Sequence, residues 1–498
     1  MVTSVQYTGM TTFTIPDEVL TVANGLEKAG FEAYLVGGCV RDMMMDRVPK
    51  DWDITTDATP EEIQGIFSDS FYENKFGTVG VKTGSEDPTL AVVEVTPYRT
   101  EGEYKDARRP ESVAWAKTLG EDLKRRDFTV NAIAYRPSTG DIVDEHGGQA
   151  DLKDKMLRAV GEAGERFKED ALRMMRAIRL SAQLGFTIEA ATADAIFKNA
   201  DNLGNISKER IRDELIRVLE TNTPSEAIFL ANRLGLLKYI APDLERGIGI
   251  DQNQAHSYDV FEQHNVRSMQ HAADKGWDLA LRTAAMLHDI SKPETRLWSD
   301  EKKDWTFHGH EVVGAKVARR ILADLRFPKD LSDKVVALVR WHMFFSDPDK
   351  ITLSAVRRII NNVGRQNIDD LLNLRICDRI GTGRPKEQPF RFRKYKSMVD
   401  EALRDPVSVG MLAINGQDLI EKLGEKPGPR IGWTLHALLE EVLDDPSKNT
   451  PEGLIAMSQE LLKLADNELM QLGEAGKEAR DEKEGEELAA IRARHHVD

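Results

Sequence analysis

A glycine turn followed by a pair of aspartates is the feature that most constrains the fold of this chain. A strand-like run ends at Gly37 and Gly38, and Asp51 and Asp53 follow shortly after. In an extended strand alternate side chains share a face, so Asp51 and Asp53 can share divalent cations. The two glycines let the backbone approach a bulky anion, which Arg41 can neutralise. An isolated Asp-x-Asp is common on solvated surfaces, but this combination predicts a nucleoside-triphosphate site for metal-assisted phosphoryl or nucleotidyl transfer.

The length and composition of the chain indicate the class of protein that carries this site. Its 498 residues are too many for one hydrophobic core and predict three or more domains. A hydrophobic content of 41% and a charged content of 31% are typical of soluble globular proteins. We see no apolar run long enough to cross a bilayer and no charged-then-apolar leader, so we expect a cytoplasmic protein without membrane association. The only two cysteines, Cys39 and Cys377, argue against a disulfide framework or a thiolate zinc site.

The net charge limits the possible nucleic-acid partners only weakly. A formal charge of -16 argues against an indiscriminate nucleic-acid binder, whose affinity would come from phosphate neutralisation. It does not exclude a local basic groove, because acidic metal sites and an acidic tail would both make the total more negative.

Hydrophobic periodicity changes along the chain and predicts an α+β fold. The first part of the chain alternates between helix-like and strand-like patterns, whereas long amphipathic helices dominate beyond Gly164. The predicted helices are 16–30, 60–67, 166–184 and 207–219, and the predicted strands are 51–55, 78–82 and 90–98. Seven of the eleven histidines fall between His256 and His342, which indicates a separate histidine-rich helical domain. The predicted domains are a mixed α/β head (1–160), a helical neck (161–245), the histidine-rich domain (246–382), a further helical region (383–465) and a solvated or disordered charged tail (466–498).

Glu94 is the best candidate for a third carboxylate beside the aspartate pair. In a two-metal site one ion activates the attacking hydroxyl and the other stabilises the leaving group, so a third ligand is expected. Glu94 interrupts an apolar, β-branched run, and a metal site would explain that charge. The alternative is a glutamate on an edge strand that faces water.

Three motifs in order carry a resemblance to a known family. They are Gly37-Gly38-Cys39-Val40-Arg41-Asp42 with Asp51-Trp52-Asp53, Arg125-Arg126-Asp127-Phe128-Thr129-Val130-Asn131-Ala132, and Glu169-Asp170-Ala171-Leu172-Arg173-Met174-Met175-Arg176. The chain resembles the class II transfer-RNA nucleotidyltransferases, the CCA-adding enzymes, over about residues 31 to 465. These enzymes share a superfamily with bacterial poly(A) polymerases.

The resemblance implies a nucleotidyltransferase head with a polymerase-β-like palm, followed by mainly helical neck, HD and RNA-binding domains. It implies CTP and ATP as substrates, transfer RNA as the partner, and no obligate protein partner. Asp51 and Asp53, with Glu94, would hold Mg²⁺. The residues implied in triphosphate and ribose recognition are Gly37, Gly38, Arg41, Arg126, Asp127 and Asn131.

The third motif also has a direct physical interpretation. Asp170, Arg173, Arg176 and Arg179 recur every three residues, which predicts one side of a helix. A carboxylate accepts a hydrogen bond from an exocyclic amino group of a base, and an arginine donates one to the neighbouring ring acceptor. Cytosine and adenine both present this amino-plus-acceptor edge, whereas uracil and guanine lack it. Asp170 and Arg173 could therefore select C and A without a template, and Arg176 and Arg179 would serve the phosphates. An ordinary salt-bridged helix face is the alternative.

Residues 98–110 are rich in hydrogen-bond donors and resemble the flexible segment of the family. Its polar residues are Arg99, Tyr104, Asp106, Arg108 and Arg109. It either helps the site change between C and A addition or is a plain surface loop.

The histidine-rich region contains ligands for a metal site without cysteine. The candidates are His264, His288, Asp289, His310, His342 and Asp378. Imidazole and carboxylate ligands suit Mg²⁺, Mn²⁺, Ni²⁺ or Fe. Their order resembles the HD phosphohydrolases, which implies one metal on His264, His288, Asp289 and Asp378, with His310 and His342 on a second ion or a phosphate. Phosphatase and 2′,3′-cyclic phosphodiesterase activity would follow, unless the domain only positions transfer RNA.

A basic and aromatic segment follows the histidine-rich region. It contains Arg384, Lys386, Arg391, Arg393, Lys394 and Lys396, interleaved with Phe390, Phe392 and Tyr395. It is either an RNA-binding surface with stacking rings or a helix with a cationic face and aromatic residues in the core.

The complete pattern predicts template-independent addition of CCA to the 3′ end of transfer RNA. One alternative is an enzyme that adds only A, such as a poly(A) polymerase. Another is an RNA-binding HD phosphohydrolase with an inactive head.

Overall fold

A computed structural model describes residues 13–72, 77–101, 104–105, 109–110, 113–253, 256–344, 351–406 and 408–473. The chain divides into two compact units. The first comprises Met1–Thr221 and Phe229–Ile240, and the second comprises Asn222–Ile228 and Ala241–Asp498. In the part of the chain that the structure describes, no helix is both long and apolar enough to span a membrane.

The strands are concentrated in the first 160 residues. In chain order the strands up to residue 240 are β1 (Tyr34–Val36), β2 (Asp53–Thr56), β3 (Ser70–Tyr72), β4 (Val79–Lys82), β5 (Val92–Pro97), β6 (Arg99–Glu101), β7 (Tyr104–Lys105), β8 (Arg109–Pro110), β9 (Val113–Trp115), β10 (Ala134–Arg136), β11 (Asp141–Val143), β12 (Met156–Leu157) and β13 (Thr187–Ile188). The helices are α1 (Asp17–Lys28), α2 (Gly38–Met44), α3 (Pro60–Ile66), α4 (Leu119–Lys124), α5 (Gly148–Lys153), α6 (Ala163–Glu169), α7 (Leu172–Leu184), α8 (Ala190–Asn199), α9 (Lys208–Leu219), α10 (Pro224–Arg233) and α11 (Leu237–Ile240).

A seven-stranded sheet organises the first unit. Its strand order is β11-β10-β1-β2-β5-β4-β3, and β2 and β5 are parallel while the other neighbours are antiparallel. The apolar stripe of α1, which includes Val19, Val22 and Leu26, packs in one core with Ile54 of β2 and Val95 of β5. This core fixes the sheet that carries the aspartates.

Helix ends follow local sequence signals closely in this unit. The predicted helix 60–67 is observed as α3, where Thr59 and Glu62 form a capping box and Pro60 occupies the first turn. The predicted helix 16–30 is observed as α1, with Asp17 and Glu18 in its first turn.

Two predicted elements differ from the structure. The predicted strand 51–55 begins only at Asp53, so Asp51 lies in the bend that precedes it. The predicted helix 166–184 is wrong as a single helix, because it is interrupted between α6 and α7. Asp170 is extended (φ -140°, ψ 103°) and its Oδ1 accepts from Leu172 N at 3.1 Å, so the carboxylate caps the start of α7 instead of lying on its face.

The described part of the second unit is mainly helical. Its helices are α12 (Pro242–Glu245), α13 (Val266–Asp274), α14 (Leu279–Leu287), α15 (Lys292–Thr295), α16 (His310–Asp324), α17 (Lys329–Trp341), α18 (Leu353–Val363), α19 (Ile368–Gly381), α20 (Phe390–Ala402), α21 (Gly416–Leu423), α22 (Pro429–Asp444) and α23 (Pro451–Leu461). Two hairpins complete it, formed by β14 (Asp251–Asn253) with β15 (His256–Asp259) and by β16 (Leu297–Ser299) with β17 (Asp304–Thr306). Most of the predicted charged tail, residues 474–498, lies outside the described residues.

Candidate active site

The glycine turn lies against an aspartate and an arginine that come from distant parts of the chain. Gly37 has φ 79° and ψ -131°, a conformation that favours glycine, and it immediately precedes α2. A Cβ built on Gly37 would lie 3.3 Å from Arg126 Nη1 and 3.6 Å from Asp53 Oδ2. The turn therefore brings together two of the three sequence motifs.

Glu94 lies beside Asp53 on the neighbouring strand. In the parallel pair β2–β5, Asp53 is in register with Glu94, and residues in register project from the same face of a sheet. Strand β5 has partners on both sides, so Glu94 is not on an edge strand. Trp52 is buried between Asp51 and Asp53, which is the alternation expected if both aspartates face the same side. The structure thus brings Asp53 and Glu94 together, with Asp51 at the entry of β2.

A chain of hydrogen bonds links Arg41 to the second motif. Arg41 Nη1 donates to Asn131 Oδ1 at 2.8 Å, and Asn131 Nδ2 donates to Asp127 Oδ1 at 3.3 Å. Asp127 Oδ2 accepts from Arg176 Nε at 2.7 Å. Burial alone would raise the pKa of Asp127, but the Arg176 charge lowers it to about 2. These polar residues therefore form one fixed network behind the glycine turn.

Asp122 is a buried anchor that the sequence analysis missed. Its carboxylate has no exposed surface and accepts from Arg125 Nε at 2.8 Å and Arg126 Nη2 at 3.0 Å. Although burial raises the pKa of Asp122, the two guanidinium groups lower it below its ordinary value. Its spacing of three and four residues from two arginines on a helical segment is the signal that could have identified it.

The third motif is held by ion pairs. Asp170 Oδ2 accepts from Arg210 Nη2 at 2.7 Å, whereas Arg173 Nη1 donates to Glu169 Oε2 at 2.7 Å and Arg173 Nη2 donates to the Arg125 carbonyl at 3.1 Å. Arg173 is thereby tied to the second motif. Further along α7, Arg179 Nε donates to the buried Glu214 at 2.7 Å.

Part of the donor-rich segment forms short strand pairs. Arg99 begins β6, which pairs with β9, and Tyr104 and Arg109 lie in the paired strands β7 and β8. Asp106 and Arg108 lie outside the described residues.

The six predicted ligands of the second unit form a single cluster around Asp289, in which five are buried and Asp378 is partly buried. Its Oδ2 lies 2.6 Å from His264 Nε2 and 3.4 Å from His288 Nε2. Its Oδ1 lies 3.1 Å from His310 Nε2 and 3.4 Å from His342 Nε2. Asp378 Oδ1 completes the first group, at 3.5 Å from His264 Nε2 and 3.9 Å from His288 Nε2. Two potential metal groups therefore share one carboxylate.

Hydrogen bonds orient the imidazoles for ligation. The Nδ1 atoms of His288, His310 and His342 face the carbonyls of Ala285, Phe307 and Val339 at 2.8, 2.6 and 2.7 Å. With Nδ1 protonated, each Nε2 presents its lone pair to the cluster, as in metal-ligating histidines.

The polar atoms inside the cluster fit a metal ion. Both oxygens of Asp289 are buried, and each lies within 3.4 Å of two histidine Nε2 atoms. His288 Nε2 and His264 Nε2 lie only 2.9 Å apart, a separation at which two lone pairs repel unless a proton or a cation lies between them. Burial lowers the pKa of His264 to about 4. Burial also opposes a charge on His288, but Asp289 and Asp378 raise the pKa of His288 above its ordinary value, so either a proton on His288 or a metal ion can separate the two lone pairs.

Lys292 is a further cluster residue that the sequence analysis did not identify. Its Nζ lies 2.5 Å from Asp289 Oδ2 and donates to Gln252 Oε1 at 2.7 Å. Burial raises the pKa of Asp289, but Lys292 and the histidines outweigh burial and lower it well below its ordinary value. The position of Lys292 three residues after Asp289 was the available signal.

Comparisons with known proteins show which families the parts of this chain resemble. The family model "Poly A polymerase head domain" matches residues 33–158, "Probable RNA and SrmB- binding site of polymerase A" matches 185–248, and "HD domain" matches 261–381. The CCA-adding enzyme of Geobacillus thermodenitrificans is 32% identical over 460 residues, which cover 89% of this chain and 96% of that enzyme. That of Lactobacillus helveticus is 33% identical over 449 residues, or 88% of this chain and 96% of the relative.

The chain belongs to the CCA-adding enzyme family. A solved structure, the Bacillus stearothermophilus CCA-adding enzyme in complex with CTP, is 28% identical and superposes with a TM-score of 0.67 over 90% of this chain and 98% of that one. The Thermotoga maritima CCA-adding enzyme complexed with tRNA shares the fold at 19% identity, with a TM-score of 0.52 over 90% of this chain and 96% of that one.

Membership of the CCA-adding enzyme family confirms the predicted resemblance, the α+β fold with a nucleotidyltransferase head, and the assignment as an enzyme. The nucleotidyltransferase and HD families use divalent metals, and the histidine cluster offers groups that could hold them.

The basic segment of this CCA-adding enzyme family member divides its aromatic residues between core and surface. Phe392 and Tyr395 of α20 are buried, and Tyr395 stacks on Phe344 with ring centroids 5.0 Å apart. Their rings are therefore core residues, whereas Phe390 is 70% exposed. Arg391 and Arg393 lie on the exposed side of the same helix.

Proposed function

We propose that this chain adds C, C and A to the 3′ end of transfer RNA from CTP and ATP, without a template and with release of pyrophosphate. The observation that carries the proposal is the register of Asp53 with Glu94 beside Gly37 and Arg126. Similarity to CCA-adding enzymes over most of the chain supports the substrates, and the CTP complex of the Bacillus stearothermophilus relative supports the nucleotide.

The carboxylates of Asp51, Asp53 and Glu94 would hold two Mg²⁺ ions. When bound, such ions make a hydroxyl more nucleophilic and neutralise charge on a departing pyrophosphate. The oxygen of the terminal ribose hydroxyl forms the new bond to the α-phosphorus and loses its proton to solvent, while the bond to the bridging oxygen of pyrophosphate breaks. Gly37 leaves space for the triphosphate, and Arg126, fixed by Asp122, supplies positive charge where the leaving group develops its charge.

Base selection is proposed to rest on Asp170 and Arg173. The carboxylate would accept from the exocyclic amino group of C or A, and the guanidinium would donate to the ring acceptor. Their partners Arg210 and Glu169 would orient both groups before the nucleotide binds. In uracil or guanine a carbonyl oxygen would face the carboxylate of Asp170. Both groups are acceptors and neither would have a donor, which costs binding energy.

A set of transfer RNAs tests this function directly. Substrates ending before CCA, after C and after CC are incubated with each nucleotide singly and in pairs, and the products are sequenced. We expect complete CCA addition with CTP and ATP, no addition of U or G, and loss of all addition in Asp53→Asn. His288→Ala, altered in the other unit, is the control and should retain addition. Addition of A to the CC-ended substrate alone would instead identify an A-adding enzyme.

A second activity, metal-dependent phosphohydrolysis, is proposed for the histidine cluster. The two buried oxygens of Asp289, each of which faces two histidines, support it. The ligand set suits Mg²⁺, Mn²⁺, Ni²⁺ or Fe. In hydrolysis of a 2′,3′-cyclic phosphate, a water oxygen bonds to phosphorus, one ribose–phosphorus ester bond breaks, and the released ribose oxygen takes up a proton.

Hydrolysis of a 2′,3′-cyclic nucleotide with each metal tests this second activity. We expect activity in the unaltered protein and in Asp53→Asn, and its loss in His288→Ala. Metal content after dialysis, measured by mass spectrometry, should fall in the same variant. Hydrolysis that survives His288→Ala would rule out the cluster as the site and leave a role in positioning transfer RNA.

A further inference from the structure

A pair of tryptophans, Trp298 exposed and Trp305 partly buried, lies on the hairpin formed by β16 and β17. Trp298 and Trp305 are in register across the two strands, with ring centroids 5.4 Å apart and an interplanar angle of 77°. Trp298 is 48% exposed, and its Nε1 donates to Asp300 Oδ1 at 3.1 Å. A large, open ring surface is therefore held in a fixed orientation by its partner strand.

Arginine and lysine side chains extend this aromatic face toward the histidine cluster. The Arg296 guanidinium lies 4.0 Å from the centroid of the Trp305 ring, and its buried Nε has no hydrogen-bond partner among the described residues. Lys292 Nζ lies 5.5 Å from the centroid of Phe307, two residues beyond Trp305, and 2.5 Å from Asp289 Oδ2. Cations thus lie over the rings of both Trp305 and Phe307, and one of these cations, Lys292, also contacts the carboxylate of the cluster.

The hairpin is also linked covalently to the cluster. It connects α15, which begins three residues after Asp289, to Phe307, whose carbonyl faces His310 Nδ1 at 2.6 Å. Residues span at most about 3.5 Å each when extended, so Trp305 stays within a few residues' reach of a ligand histidine. Five residues from Trp305 to His310 limit their separation to about 17 Å, and β17 also packs against β14, whose Gln252 accepts from Lys292 Nζ.

We propose that Trp298, Trp305 and Arg296 form a stacking platform for the nucleobase of a nucleotide or RNA end whose phosphate is bound at the histidine cluster. This inference rests on the proposed phosphohydrolase function and deepens it. Ring stacking with a cation over the aromatic face tolerates every base, because each base presents a π-face. The platform thus makes the cluster selective for nucleoside phosphates over phosphates that lack a base.

Two cyclic phosphodiesters that differ only in the base and sugar test the platform. The substrates are guanosine 2′,3′-cyclic phosphate and glycerol 1,2-cyclic phosphate, and guanosine is used because the head is expected to reject it. Stacking of one base contributes about 1–3 kcal/mol, so Trp298→Ala should raise KM for the guanosine substrate roughly 5- to 150-fold with little change in kcat. KM for the glycerol substrate should stay unchanged, and Trp298→Phe should restore most of the lost affinity.

A matched variant and a binding measurement separate the possible results. Tyr72→Ala, which removes an exposed aromatic residue from strand β3 of the other unit, should leave both KM values unchanged. Calorimetric titration with guanosine 2′-monophosphate should show the same loss of affinity in Trp298→Ala without requiring turnover. Unchanged guanosine binding in Trp298→Ala, or an equal change for both substrates, would overturn the platform. Hydrolysis that persists in His288→Ala would instead contradict the phosphohydrolase function on which it rests.

Discussion

Asp122 shows how one buried carboxylate can set the position of a phosphate-binding group. It holds Arg125 and Arg126 together, and the Arg126 guanidinium borders the Gly37 turn. We expect Asp122→Asn to lower the free energy of unfolding by about 3 kcal/mol, because two guanidinium groups lose their buried anion. KM for CTP should rise as well, since Arg126 is no longer fixed.

Urea unfolding and steady-state kinetics measure these two effects. Asp69→Asn is the matched control, because Asp69 forms an exposed ion pair with Lys82 in the same unit. Exposed ion pairs contribute little to stability. The free energy of unfolding of Asp69→Asn and its KM for CTP should therefore stay near those of the unaltered protein. A normal KM for CTP in Asp122→Asn would show that Arg126 does not depend on this anchor.

Asp127 makes the first unit sensitive to acid at a defined pH. Its pKa is lowered from 3.8 to about 2 by Arg176 against the opposing effect of burial. A carboxylate with a lowered folded pKa stabilises the fold above its unfolded pKa and loses that contribution as pH falls through the folded pKa. The Asp127–Arg176 pair should therefore contribute about 2 kcal/mol above about pH 4, and this contribution should disappear by about pH 2.

Denaturant unfolding across this pH range compares the protein with Asp127→Asn. The difference between their free energies of unfolding should be largest above about pH 4 and should shrink toward about pH 2. A difference that stays constant with pH would contradict the proposed titration of Asp127.

At the scale of elements, the turn between β1 and α2 depends on the absence of a side chain. We expect Gly37→Ala to cost about 1–3 kcal/mol of backbone strain. Its methyl group would also lie 3.3 Å from Arg126 Nη1, where the triphosphate is expected. Misplacement of reacting groups is costly, so kcat/KM for CTP should fall roughly 10- to 100-fold.

Gly30 offers a matched control for this turn. It also has a positive φ, of 93°, but a Cβ built on it would have no atom within 4 Å outside its chain neighbours. Gly30→Ala should therefore destabilise the protein while kcat/KM stays close to that of the unaltered protein. An equal loss of kcat/KM in both variants would attribute the effect of Gly37→Ala to stability alone.

The elements also show which parts of the site can be predicted from sequence. The glycine turn and Asp53 were predicted because both signals are local. The register of Asp53 with Glu94 required the order of strands in the sheet, since β3 and β4 intervene in the chain but lie beyond β5. Asp170 was misplaced on a helix because three-residue spacing does not reveal that its carboxylate caps the next helix.

For the whole molecule, the most informative residues are those that only the tertiary fold brings together. His264 comes from a π-helical turn, His288 and His342 from the ends of α14 and α17, and Asp378 from α19. Their residue types indicated metal ligands, but their convergence on Asp289 required the packing of these helices. Lys292 escaped attention because a lysine is not a metal ligand, and its role depends on the buried anion beside it.

The charge of the whole molecule makes the basic helix α20 a decisive test of RNA binding. The chain has a net charge of -16, so its overall charge does not attract RNA. If α20 contributes to RNA binding, the phosphate contacts must come from its own cationic face. Arg391 and Arg393 are exposed, whereas Phe392 and Tyr395 are core residues, so the charges can be reversed without removing the packed rings. We expect the double variant Arg391→Glu and Arg393→Glu to bind transfer RNA more weakly. The slope of log binding constant against log salt should become less steep by about 1 to 2 units.

Filter binding at several salt concentrations measures this slope. The double variant Lys316→Glu and Lys329→Glu changes the net charge equally on exposed residues of α16 and α17 and serves as the control. Only a lysine or arginine that contacts a phosphate releases counterions when RNA binds. The control should therefore change the affinity through net charge but leave the slope of log binding constant against log salt nearly unchanged. Equal slopes for both double variants would mean that α20 makes no phosphate contact and that its basic residues are simply a solvated face of the helix.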